Sequence, residues 1–189
     1  MSAPESHPNL LSAEKTLLVV VDMQEPFLRN IFERERVITN VCALIAGANA
    51  LRVPVLGTTQ YVARMGDVVT EVRRLLPGRQ PILDKMTFSC YADPAFAAEV
   101  ARSDRKQILL CGIETHICVS QTAHELIAAG YQAHVAADAV SSRSEANYRL
   151  GLEKLKQGGV LLSSVEMALY EMLRKAGTSE FREILTIIK

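Results

Sequence analysis

The 189-residue chain predicts a three-layer α/β fold, a parallel sheet with helices on both faces. Short apolar runs alternate with longer stretches of helical spacing from end to end. Turn residues punctuate the joins, as at Pro77-Gly78, Gly130 and Gly158-Gly159. No repeat, low-complexity tract or long linker divides the chain, so a single domain over 1–189 is expected, with 1–12 as a flexible N-terminal extension.

A strand at Thr16 to Val21 comes first. A helix follows from Arg34 to Leu51, with Val37, Val41, Leu44, Ile45 and Ala48 at helical spacing. Val53 to Gly57 reads as the second strand, its proline near the start. The stretch from Gln60 to Pro77 is less regular, and Pro81-Ile82-Leu83 is the third strand. Asp93-Pro94 opens a helix to Arg102, with aspartate as cap and proline in the first turn. Gln107 to Cys111 is a buried strand, followed by Gly112 and a helix lasting to Ala129. Tyr131 to Ala136 is the fifth strand, Ser144 to Gln157 a helix, and Val160-Leu161-Leu162 the sixth strand. Two short helices finish the chain.

The 21 basic and 21 acidic side chains cancel, so no basic excess draws nucleic acid or an anionic membrane surface. The apolar runs are too short to span a bilayer, and Met1 to Asn9 lacks a secretory leader pattern. Four cysteines (42, 90, 111, 118) show neither metal-type nor disulfide-type spacing, which suits a reducing, cytoplasmic setting.

In such sheets the chemistry gathers where the strands end, near the reversal of strand order. The first strand ends in Asp22-Met23-Gln24, a carboxylate directly after an apolar run. It is either a functional group in need of a partner or a turn aspartate. Lys85 follows the third strand and by itself carries almost no signal. Cys118 falls in the first turn of the helix after the fourth strand, where free N–H groups and the helix dipole should lower its thiol pKa. A thiolate there is a competent nucleophile. The alternative is a small buried apolar residue, the reading taken for Cys42 and Cys111. Cys90, in a loop near Lys85, is a rival nucleophile.

Together, Asp22-Met23-Gln24-Glu25-Pro26-Phe27, Lys85-Met86-Thr87-Phe88-Ser89 and Gly112 to Val119 resemble the three motifs of the isochorismatase-like cysteine hydrolases. Order and spacing match across nearly the whole chain. The Gly-Ile-Glu-Thr-His loop, Ser141-Ser142-Arg143-Ser144 and the ending Phe181 to Lys189 are similar to the isochorismatase domain-containing group. The resemblance implies a six-stranded Rossmann-like sheet in the order 3-2-1-4-5-6, with Asp22, Lys85 and Cys118 as catalytic residues. It also implies a cis peptide between Ile113 and Glu114, aiming the N–H groups of Glu114 and Cys118 at a substrate oxygen, so that the Glu114 side chain need not take part.

Two departures narrow the expectation. Nicotinamidases of the family hold a metal through an aspartate and histidines after strand two. Here Thr58 to Arg64 has no histidine, and His7, His116, His124 and His134 are scattered. No metal and no other cofactor is expected. Isochorismatases proper cleave a vinyl ether and lack the cysteine, so Cys118 favours hydrolysis of a C–N bond in a small amide or carbamoyl compound through a thioester. Vinyl-ether cleavage, a non-catalytic binding or assembly role, and redox sensing by Cys118 or Cys90 are the alternatives. Gln24, Phe27, Gln60, Tyr61, Phe88 and His116 are candidate pocket residues, and Arg143 a candidate clamp for a substrate carboxylate. Arg143 could equally be a surface or interface residue. A homo-oligomer is expected from the family and from the apolar segment Ile184 to Ile188.

Overall fold

The computed structural model describes residues 7–76, 78 and 82–189. Strand β1 (Thr16–Val21) leads through the short helix α1 (Glu25–Leu28) to α2 (Arg34–Ala50) and β2 (Val55–Gln60). Two single-turn helices, α3 (Val62–Met65) and α4 (Thr70–Arg73), fill the irregular stretch before β3 (Ile82–Lys85). Then come α5 (Pro94–Arg102), β4 (Gln107–Ile113), a π turn (Thr115–Val119) and α6 (Ser120–Ala128). The chain closes with β5 (Gln132–Ser141), α7 (Glu145–Gln157), β6 (Leu161–Ser163), α8 (Val165–Leu173) and α9 (Ser179–Ile187). Pro77 of the expected turn and Pro81 of the expected third strand lie outside the described residues.

The sheet is six-stranded and parallel throughout, in the order β3-β2-β1-β4-β5-β6. Every residue of β1 and β4 is buried, because helices cover both faces. Along β1, Leu18 and Val20 face a core shared with α2, α8 and α9, while Leu17, Val19 and Val21 face one shared with α5, α6 and α7. Asp93 caps α5, accepting from the N–H groups of Ala95 and Phe96.

Strand β5 is longer than its apolar run. Val135 lies beside Leu110, yet the next in-register pair is Val140 with Gly112, so β5 carries a bulge of extra residues. The interruption is Ala137-Asp138. The Asp138 carboxylate accepts from the Val165 N–H at the start of α8, and its carbonyl accepts from the side chains of Arg36 and Asn40. Beyond the bulge the strand resumes to Ser141, which brings Arg143 close to the end of β4.

Leu11, Ser12 and the C-terminal helix α9 are tied to the rest of the fold. Leu11 is fully buried, its N–H donates to the Glu171 carboxylate at 2.9 Å, and the Ser12 N–H donates to Gln107 at 2.9 Å. The expected extension is therefore docked at Leu11 and Ser12, while residues 1–6 lie outside the described residues. Ile184 is fully buried and Ile187 and Ile188 pack against the same core, so the apolarity of this segment is used within the chain. None of the described helices is long and apolar enough to cross a membrane.

His134 on β5 is 2% exposed and its Nε2 has no hydrogen-bond partner among the described residues. Burial pushes its pKa down to about 4. Above the ordinary histidine range both folded and unfolded chains hold it neutral. As pH falls from about 6.5 towards 4 the unfolded chain takes up a proton that the folded one refuses, and stability drops by up to about 3 kcal/mol. Urea denaturation at pH 7 and pH 5 should show this loss in the native chain and a smaller one in His134→Leu.

Candidate active site

Asp22 leaves β1 with φ +51°, a left-handed conformation that non-glycine residues rarely hold without cause. Its Oδ1 accepts from the Thr58 hydroxyl at 2.8 Å and its Oδ2 from the Lys85 ammonium at 2.8 Å. Lys85 stands two strands away, on edge strand β3, where it is in register with Gln60 of β2. Its Nζ reaches across that strand, donating also to Gln60 Oε1 at 2.7 Å and to the carbonyls of Thr87 and Phe88 at 3.2 and 3.4 Å. Asp22 and Lys85 are each 2% exposed. Burial alone would lower the lysine pKa, but the Asp22 charge and hydrogen bond, with any negative charge on Cys90 or Cys118, outweigh it, and the net shift is upward. The ammonium is thereby kept charged.

Strand β4 lies against β1, with Gly112 in register with Val21. Gly112 has φ +109°, and a Cβ there would lie 2.2 Å from the Val21 carbonyl oxygen. Only glycine lets the strands approach so closely at this point. The Ile113–Glu114 peptide is trans, contrary to expectation. The chain turns instead through torsions, Gly112 at +109° and Glu114 at +26°. The Glu114 carbonyl then accepts from the N–H groups of both Ile117 (3.0 Å) and Val119 (3.2 Å). That is a π turn rather than the first turn of an α-helix, a device frequent at functional sites. Gly151 of α7 lets that helix pack on the turn, since a Cβ there would lie 3.0 Å from the His116 nitrogen.

The turn sets Cys118, 7% exposed, near enough to Asp22 to feel its charge. The expected lowering of its pKa is reversed. Burial pushes the thiol well above the usual range, the Asp22 charge adds to this, and Lys85 opposes without cancelling. The resting group is a thiol, and its proton must leave as it reacts. Cys90 is fully buried, contacts the Thr58 hydroxyl at 3.8 Å and is pushed up to about 11 by burial and then by Asp22.

A cavity of about 270 Å3 opens onto these groups, lined by Asp22, Phe27, Gln60, Phe88, Ile113, Glu114, Ile117, Cys118 and Arg143. Of the candidate pocket residues, Phe27, Gln60, Phe88 and Arg143 lie on this lining and Gln24, Tyr61 and His116 do not. Gln24 is fully buried and grips the Gln60 backbone from both sides, accepting from its N–H at 2.7 Å and donating to its carbonyl at 3.2 Å. Tyr61 is 41% exposed and anchors β2 to β3 through its N–H. His116 Nδ1 lies 2.9 Å from the Ser142 hydroxyl.

Sequence reasoning missed Thr58 and Ile117, named Ile113 only for its peptide bond, and held that the Glu114 side chain need not take part. Glu114 is buried and is one of the residues that line the cavity, with Oε1 2.9 Å from Arg143 Nε and Oε2 3.3 Å from His116 Nδ1. The Arg143 charge therefore already faces a carboxylate inside the protein. Among the described residues no three His, Cys, Asp or Glu side chains group as a candidate metal set.

Comparison with known proteins adds to this geometry. Residues 16–167 match the model of the isochorismatase domain. A protein named secreted isochorismatase effector Isc1, from Phytophthora sojae (strain P6497), is 38% identical over 95% of this chain and 87% of its own. Isochorismatase domain-containing protein 2 of Danio rerio is 33% identical over 94% of this chain and 89% of its own. Among solved structures, that of the MAR1 ribonuclease from Caenorhabditis elegans superposes with a TM-score of 0.89 at 31% identity, covering 95% of this chain and 92% of that one. The sheet order, the family match and the length of these likenesses agree, and the chain belongs to the isochorismatase domain family.

Proposed function

We propose that the chain is a cysteine-dependent hydrolase that cleaves the C–N bond of a small amide or carbamoyl compound. The observation that carries this reading is the opening of one small cavity onto both Cys118 and Asp22, with the Lys85 ammonium bonded to Asp22. A buried thiol of raised pKa attacks only if its proton is taken as the bond forms. Asp22 accepts that proton while Sγ adds to the carbonyl carbon. Lys85 holds the carboxylate in place and offsets the charge. Glu114 and Cys118 both line the cavity, and their backbone N–H groups are the proposed donors to the oxyanion, with the trans peptide in place of the expected cis one. When the C–N bond breaks, the proton passes from Asp22 to the departing nitrogen. Water, losing a proton to Asp22, then attacks the thioester and regenerates the thiol. Gln24 acts from behind by fixing Gln60, which accepts from Lys85.

The lining favours a small uncharged or nitrogen-rich substrate over a phosphodiester, because Asp22 and Glu114 stand there against Arg143. The ribonuclease name of the Caenorhabditis elegans structure thus finds no support in this cavity. Self-association rests on the family resemblance, and a cytoplasmic setting on cysteine usage. Screening small amides and carbamoyl compounds should yield a substrate whose turnover vanishes in Cys118→Ala while the far-ultraviolet circular dichroism stays native. Turnover persisting in that variant would end the reading.

A further inference from the structure

The Glu114 side chain has no role in the steps above, yet it is placed like a recognition group. It is 6% exposed and borders the cavity. A carboxylate offers about four acceptor positions, and one buried without donors is costly. Its Oε2 has no hydrogen-bond partner among the described residues. Arg143 supplies charge through Oε1, but its side chain is 58% exposed and solvated. His116 Nδ1, 3.3 Å from Oε2, is also within 2.9 Å of the Ser142 hydroxyl. Burial, opposed by Glu114 and reinforced by Arg143, lowers the His116 pKa, so this ring supplies no second cation at neutral pH. A buried acceptor without a donor calls for an explanation, and a ligand nitrogen in the adjoining cavity is one that this position offers.

We infer that Glu114 is a specificity-determining residue whose free carboxylate oxygen binds a hydrogen-bond-donating nitrogen of the substrate, and that the cavity rejects carboxylate-bearing substrates. This rests on the reading that the cavity is the substrate site and adds the substrate's chemical class. It also reverses the expectation for Arg143, which holds Glu114 and does not clamp an incoming acid. Two carboxylates on the lining, Asp22 and Glu114, would repel an anion, and Phe27 and Phe88 offer apolar walls to the rest of the molecule.

Three isosteric probes separate the possibilities: benzamidine as its cation, benzamide and benzoate. Their dissociation constants can be measured by calorimetry or ligand-observed NMR at neutral pH. In the native chain and in Cys118→Ala, benzamidine and benzamide should each bind at least about tenfold tighter than benzoate, and their relative strength distinguishes a cationic from a neutral nitrogen donor. Glu114→Gln should lose about tenfold for benzamidine and gain for benzoate. Arg143→Met removes the cation that competes for the Glu114 carboxylate and should tighten benzamidine. Benzoate binding as tightly as benzamide, no binding by any probe, or an order unchanged in folded Glu114→Gln would overturn the inference. Binding does not require the thiol, so these results are independent of whether Cys118 is the nucleophile.

Discussion

Lys85→Met should cost about 3–5 kcal/mol of stability and reduce turnover about a thousandfold or more. The side chains are similar in length, so the change removes the charge and donors while filling most of the space. What it leaves is the Asp22 carboxylate, 2% exposed, with only the Thr58 hydroxyl donating to its side chain among the described residues. The Gln60 side-chain oxygen and the carbonyls of Thr87 and Phe88 lose a donor as well. Asp22→Asn should cost less, because the ammonium keeps those three acceptors. In the double variant no lone carboxylate remains, so its loss should fall well short of the sum of the singles. Urea unfolding of the four proteins measures this directly. Additive losses would mean that the two groups do not act as a pair. Activity should be absent from both variants carrying Asp22→Asn, since the proton acceptor is gone.

Gly112→Ala is expected to be nearly as damaging, at about 4 kcal/mol, through the backbone alone. At φ +109° an L-residue is strained, and the added Cβ would press on the Val21 carbonyl, nitrogen and carbonyl carbon at 2.2 to 2.9 Å. Backbone cannot rotate aside as a side chain can. Relief requires β1 and β4 to separate at the point where they carry Asp22 and the turn of Cys118, so turnover should fall with stability. Gly47→Ala is the control: its Cβ would meet only the Leu169 side chain, at 2.4 to 3.2 Å, which can shift. Thermal unfolding should rank Gly112→Ala well below Gly47→Ala. Equal midpoints would show that the strand contact is softer than its geometry implies.

The parts of this molecule legible in the sequence are those set by local pattern. The apolar run 17–21 and the carboxylate after it placed Asp22 at a strand end, and Asp93-Pro94 marked a helix start that the structure keeps. Strand order and the reach of Lys85 came from family resemblance, because nothing local says that β3 sits two strands from β1. Three features were not legible, each for a physical reason. The π turn at Thr115–Val119 has the apolar spacing of an ordinary helix start, so the dipole argument gave the wrong sign for the Cys118 thiol, where burial dominates. The far half of β5 hides behind Ala137-Asp138, whose polarity suits a strand end and serves a bulge. The part of Glu114 depends on Arg143, 29 positions later, which that concealed half-strand brings alongside it.

The most direct test of Cys118 as nucleophile is the intact mass of the protein quenched within its first turnovers of p-nitrophenyl acetate, followed by peptide mapping. An acetyl group, carried as a thioester on the peptide containing Cys118 and lost again as hydrolysis proceeds, is the predicted result. It should be missing from Cys118→Ala and should accumulate more slowly in Asp22→Asn. Acetylation confined to Cys90, or steady turnover with no acyl-protein at Cys118, would contradict it.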